Sequence, residues 1–130
     1  MREQFCLTDL LEGILVESCC RRFPADGRFL HQYFYSCWDG GKYPMLMRCS
    51  FNVSGEYPRM CCLDQSLWRL EEMKLILPAP DGFFDVSSKI RSHYAAHVKE
   101  KIIPPQDESI KGLARDFSRH MAGWVKTSNP

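Results

Sequence analysis

His93 and His97 have the spacing in this chain that most resembles a chemical site. Side chains four residues apart lie on one face of a helix, so two such imidazoles are able to share a metal ion. A zinc enzyme would also need a base, and Tyr94 stands where a metalloprotease helix carries its glutamate. Glu100 and His120 are candidates for a third ligand, but spacing supports neither specifically. We interpret the pair as histidines at the rim of the core and keep zinc as the alternative.

The seven cysteines offer a second chemistry, a thiol nucleophile activated by histidine. Cys61 and Cys62 precede Asp64, a residue suited to cap a helix, and a helix start lowers the pKa of a thiol. Cys19 and Cys20 instead fall at a predicted helix end, where the helix dipole disfavours a thiolate. No C-x-x-C pattern occurs. We interpret the cysteines mostly as reduced, buried, small apolar side chains.

The patterns of charged residues and of glycines indicate whether the chain is suited to bind anionic ligands. Lys111, Arg115 and Arg119 recur every fourth residue and form a basic ridge on the predicted last helix, where an acidic partner or a phosphate backbone would dock. The formal net charge is only +1, which argues against a dedicated nucleic-acid binder. Neither glycine-rich phosphate-binding pattern occurs, and residues 40–42 fall in a predicted turn. We therefore predict no cofactor.

The elements that would position these residues begin with an aromatic-rich segment. Residues 28–38 and 43–53 alternate in pattern and flank a Gly-Gly turn, and residues 57–63 follow as a shorter run. This pattern predicts an antiparallel β-meander of three or more strands within 28–63. Because the first run carries rings on both faces, one face must be covered by helices, a partner or a ligand.

Helical periods surround the predicted meander. They predict helices at 7–22, 85–103 and 108–125, the last with the apolar face Ile110, Leu113, Phe117, Met121 and Trp124. Residues 73–77 fit either a helix or a strand. This order of elements indicates an α+β fold, in which the meander packs against N- and C-terminal helices.

Length and composition set the broad class. The chain has 130 residues, with 45% hydrophobic and 25% charged residues, which is typical of one globular domain spanning 1–130. No apolar run is long enough to span a bilayer, and residues 1–4 do not open a secretory signal. We therefore predict a cytoplasmic protein without a membrane segment.

The expected function follows by elimination. Catalytic and phosphate-binding motifs are missing, while the rings exceed what one sheet face is able to bury, so we predict a non-enzymatic interaction module, an adaptor or inhibitor that docks on a protein partner and forms a homodimer. Its predicted contacts are Tyr33, Tyr35 and Arg48 on the outer sheet face and the basic ridge. One alternative is a zinc- or cysteine-dependent hydrolase using His93 and His97, or Cys61 and Cys62. Another is a single-stranded nucleic-acid binder that uses the sheet aromatics and the ridge.

Overall fold

The fold combines five α-helices with two small antiparallel sheets. The computed structural model describes the backbone of residues 5–128 and the side chains of residues 5–124. The helices are α1 (Leu7–Glu17), α2 (Gly27–Asp39), α3 (Leu63–Glu72), α4 (Ile90–His97) and α5 (Pro104–Ser128), and 3-10 turns occur at Pro44–Leu46 and Lys99–Lys101. The strands are β1 (Arg22–Pro24), β2 (Phe51–Asn52), β3 (Arg59–Met60), β4 (Ile76–Pro78) and β5 (Phe83–Val86). The predicted α+β class, with helices at both ends and a three-stranded antiparallel sheet, is confirmed.

The three-stranded sheet is not where the sequence predicted it. Its order is β1-β5-β4, with β4 and β5 joined as a hairpin and β1 added at the far side of β5. From the predicted meander, only β2 and β3 are strands, and they form a separate two-stranded ribbon. The segment 73–77, which fitted either element, runs from the end of α3 into β4.

Two prolines lie on the outer sides of this sheet. Ala79 N–H donates a hydrogen bond to Phe83 O, and Ser87 N–H donates one to Leu75 O. The backbone groups of every second residue along β4 therefore face β5, and the backbone of Pro78 faces away from it. The bonds made by Ala25 and Val86 place Pro24 of β1 in the equivalent position at the opposite edge. Each edge strand therefore has a residue without an N–H on its unpaired side.

The first run of the predicted meander is helical. Residues 28–38 form most of α2, and the Asp26 carboxylate caps its start by accepting a hydrogen bond from Arg28 N–H at 3.0 Å. The buried residues of α2 recur with helical rather than strand period, at Phe29, Leu30, Tyr33, Phe34 and Cys37. The prediction of a strand over 28–38 is therefore wrong.

The predicted helices are present with shifted ends. The first stops at Glu17 instead of residue 22, because Cys19 adopts a left-handed backbone conformation with φ of 54° that ends the helix before β1 starts at Arg22. The predicted helix 85–103 starts only at Ile90, since β5 takes the residues before it. The last covers all of 108–125, and begins at Pro104, a residue tolerated in the first turn because its missing N–H has no helical partner there.

The core lies where α1 and α2 meet α5. Phe117 on α5 packs its ring 5.7 Å from that of Phe29 and 5.4 Å from that of Tyr33, measured between centroids. The predicted apolar face of the last helix is largely confirmed, because Ile110, Leu113 and Phe117 are buried. Met121 and Trp124 are half-buried against the same core. No helix in residues 5–128 combines the length and apolar character needed to cross a bilayer.

Candidate functional site

The predicted aromatic docking face does not form, because its residues lie on a helix. Tyr33 is only 1% exposed, and its hydroxyl donates a hydrogen bond to Leu113 O at 2.5 Å. Tyr35 is half-buried between the rings of Trp38 and Phe51. Arg48 is exposed, but it follows a 3-10 turn rather than lying on a sheet. The outer sheet face proposed for these three residues is therefore wrong as a surface.

The basic ridge on α5 is present and exposed, but it is partly neutralised. Lys111 Nζ lies 3.3 Å from an Asp107 carboxylate oxygen, and Arg119 Nη1 lies 3.5 Å from one of Asp116. Arg115 has no ion pair within the described residues. Because each paired cation has an anion on its own helix, the ridge is a weaker attractor for phosphate or acidic peptide than the sequence pattern indicates.

The histidine pair is accompanied by a buried carboxylate from α1, that of Glu12. His93 and His97 lie on α4 with ring centroids 4.8 Å apart, and His93 Nδ1 is 2.8 Å from Glu12 Oε2. Glu12 is only 1% exposed because α4 packs over that side of α1. Among the described residues, no group of three or more His, Cys, Asp or Glu side chains is arranged to hold a metal ion. Zinc binding by His93 and His97 stays the untested alternative.

Burial raises the pKa of the Glu12 carboxyl, while the hydrogen bond and the charge of His93 oppose that shift. The protonated carboxyl thus favours the folded state, so this contribution to stability is complete below the ordinary value of 4.5 and is lost as the pH rises through the folded-state pKa. Glu12→Gln, which has no proton to lose, should become progressively more stable than wild type as the pH is raised from about 4.5 toward neutrality. Urea denaturation across this range measures the difference.

Exposed Glu100→Gln provides the matched control for that series. It replaces the same functional group without removing a buried charge, so the variant and wild type should keep a constant stability difference. A Glu12→Gln difference that stays flat or declines with rising pH would contradict the unfavourable burial of the ionised carboxyl.

The thiols of Cys61 and Cys62 are exposed, and Cys62 is the N-cap residue of α3. His31 lies beside them, but both of its ring nitrogens are engaged. Nδ1 accepts a hydrogen bond from Met60 N–H at 2.8 Å, which leaves the proton on Nε2, 2.9 Å from Asp64 Oδ1. This imidazole is therefore not free to act as a base toward either thiol.

The prediction that most cysteines are buried is wrong. All seven are unpaired, and only Cys37 is buried, whereas Cys6, Cys19, Cys61 and Cys62 are exposed. Cys6 and Cys19 are exposed because they flank α1. Cys61 and Cys62 are exposed because they lie between β3 and α3, where the chain turns at the surface.

A cavity of about 250 Å³ between α2 and α5 gathers a thiol, a phenol, a carboxylate and an imidazole from Cys37, Tyr43, Asp116 and His120. Burial raises the pKa of the Cys37 thiol to about 11 and lowers that of His120, so both are uncharged near neutral pH. The Tyr43 hydroxyl donates to Asp116, and a His120 ring nitrogen is 3.0 Å from Phe29 O. These groups bond to the protein itself, and a protonated thiol is a poor nucleophile.

Three of the exposed large apolar side chains lie on α3, at its end and on β4. Trp68 is 57% exposed on α3, Met73 at the helix end is 43% exposed, and Leu77 on β4 is 46% exposed. We call these three residues the α3–β4 surface. Sequence reasoning missed it, although Trp68 lies outside the apolar spacing of Leu67 and Leu70.

The structure alone provides the evidence on function. Comparison of the chain with protein-family models, with curated proteins and with solved structures gave no significant match.

Proposed function

We propose that this protein is a small non-enzymatic interaction module, an adaptor or inhibitor, that docks on a protein partner through the α3–β4 surface. The observation that supports this proposal is the exposure of the Trp68 indole on an ordered helix. Tryptophan is enriched among the residues that dominate binding energy, because one ring buries a large area at a small cost in side-chain entropy.

The charges around Trp68 indicate the kind of partner. Asp64 and Glu72 lie one helical turn before and after it on α3, and both are exposed. Carboxylates flanking the ring repel a phosphate backbone, which favours a protein over a nucleic acid. The complementary partner has an apolar pocket for the indole and lysine or arginine at its rim.

The predicted homodimer and cytoplasmic location belong to the same proposal. Arg69 on α3 and Lys74 just after it are also exposed, so a second copy would also supply cations for the carboxylates. The basic ridge Lys111, Arg115, Arg119 stays an alternative contact with a different salt response. Binding through the ridge would weaken steeply as salt screens exposed charges, whereas burial of Trp68 would persist.

A photo-crosslinking amino acid in place of Gln65, which is exposed one helical turn before Trp68 on α3, is introduced in the source cells and tests the proposal directly. The crosslinked protein is then purified, and its affinity is measured against wild type and Trp68→Ala. We expect a loss of about 30-fold or more, which corresponds to about 2 kcal/mol for a residue of this type. Val53→Ala, equally exposed but on the segment after β2, is the matched control and should bind normally.

The outcomes separate the versions of the proposal. Unchanged affinity of Trp68→Ala for the crosslinked partner would contradict docking through the α3–β4 surface. Crosslinks between copies of this chain alone would assign the surface to a homodimer and exclude the adaptor or inhibitor version. Loss of binding in Arg115→Glu but not in Trp68→Ala would transfer the site to the ridge.

A further inference from the structure

An open groove of about 830 Å³ lies between the end of α1 and the start of α4, and its lining does not include Trp68, Met73 or Leu77. It is built from two distant segments, 15–22 and 85–91. Its walls combine the half-buried apolar side chains of Val16 and Val86 with three arginines, Arg21, Arg22 and Arg91. Volumes of this order accommodate small organic ligands.

The arginines of the groove are not equivalent. Arg22 is fixed by two carboxylates, with Nη2 at 2.6 Å from Asp81 and Nε at 2.7 Å from Asp85. Arg21 and Arg91 have no carboxylate partner within residues 5–124. Asp85 is the acidic residue in the lining, and it is already paired with Arg22. The groove therefore holds two uncompensated positive charges.

Arg91 is also oriented within the groove. Its Nη2 donates to the Cys19 sulfur at 3.2 Å, which holds the guanidinium over the end of α1. A sulfur atom is a weak acceptor, so a phosphate oxygen in its place would make a stronger, charge-assisted bond. The Arg91 guanidinium is therefore held in position by a weak hydrogen bond, and a ligand is able to replace the sulfur as its acceptor.

We propose that this groove binds a phosphate monoester that carries a small apolar group. A phosphoryl dianion matches the two uncompensated guanidinium charges, whereas a carboxylate would neutralise one. Ser87 and Ser88 add hydroxyls, and the Ser87 oxygen accepts from Lys89 N–H, so its own proton remains to be donated. The apolar wall accommodates the rest of the ligand.

Cys19 allows the site to be tested with a footprint. Its exposed thiol lies in the groove, whereas the exposed thiols of Cys6, Cys61 and Cys62 lie outside it. We expect phenyl phosphate to slow alkylation of Cys19 by iodoacetamide in the full chain, as mass spectrometry resolves each cysteine. Alkylation of the other three thiols should be unchanged, which excludes a general effect on the reagent.

Variants locate the charges that matter. Titration calorimetry with phenyl phosphate should give a dissociation constant at least about tenfold weaker for Arg21→Gln and for Arg91→Gln than for wild type, since each removes a charged hydrogen-bond donor. Arg69→Gln, an exposed arginine on α3, is the matched control and should bind as wild type does. Circular dichroism confirms that each variant is folded.

Three results would overturn the proposal. The first is a Cys19 alkylation rate that stays unchanged at the highest soluble concentration of phenyl phosphate. The second is equal affinity of wild type and both groove variants. The third is protection by benzoate as strong as that by phenyl phosphate, which would reject the phosphoryl group as the ligand chemistry. None of these results depends on whether Trp68 contacts a protein.

Discussion

Phe117→Ala is expected to lower the free energy of unfolding by about 3–5 kcal/mol. Phe117 is only 1% exposed and contacts the rings of Phe29 and Tyr33 on α2. Collapse around the resulting cavity is restricted, because the Tyr33 hydroxyl ties α2 to the backbone of α5 at Leu113. Urea denaturation followed by circular dichroism measures the loss.

Trp68→Ala is the matched control, since it removes a larger ring from an exposed position. We expect its effect on unfolding to stay below about 0.5 kcal/mol. A loss below about 1 kcal/mol for Phe117→Ala, or equal losses in the two variants, would contradict the packing of α5 on α2.

His31→Ala should cost about 2–4 kcal/mol, the second large effect. The imidazole is buried on α2 and accepts the hydrogen bond of Met60 N–H in β3, so it attaches the β2–β3 ribbon to the helix. Truncation leaves that N–H without its acceptor and opens a cavity beside it. Thermal and urea unfolding of the variant measure the cost.

The two bonds of this imidazole are separable. The Asp64 carboxylate accepts from Nε2, but its side chain is 74% exposed, and exposed pairs contribute little to stability. Asp64→Ala should therefore cost less than about 1 kcal/mol. If it were as destabilising as His31→Ala, the bond to Met60 would not be the one that holds the ribbon.

The terminal helices were predictable, whereas α2 was not, and the difference lies in residue type. Ile110, Leu113 and Phe117 have a helical period with good helix formers around them. The α2 sequence is rich in rings, which favour strands intrinsically, and its alternation resembled a strand. The presence of rings on both predicted strand faces was the sign against it. Burial at Phe29, Tyr33 and Cys37 follows a helix, and packing against α5 overrides the propensity.

The candidate sites were less predictable, because distant segments build them. The groove takes Arg21 from the connection between α1 and β1 and Arg91 from α4, so no local motif marks it. Glu12 on α1 is buried only because α4 covers it and brings His93 to its carboxylate. Such pairings depend on tertiary contacts between α1 and α4, which periodicity within one segment does not report.

The positions of Pro24 and Pro78 have a consequence for assembly. An unpaired strand edge is a template on which another chain is able to polymerise, and a run of such additions leads to fibrils. At both edges of this sheet, a proline lacks the N–H that an incoming strand would need as a hydrogen-bond donor. Pro24 and Pro78 thus each remove a backbone donor from an outer edge, which disfavours extension of this sheet by another copy of the protein.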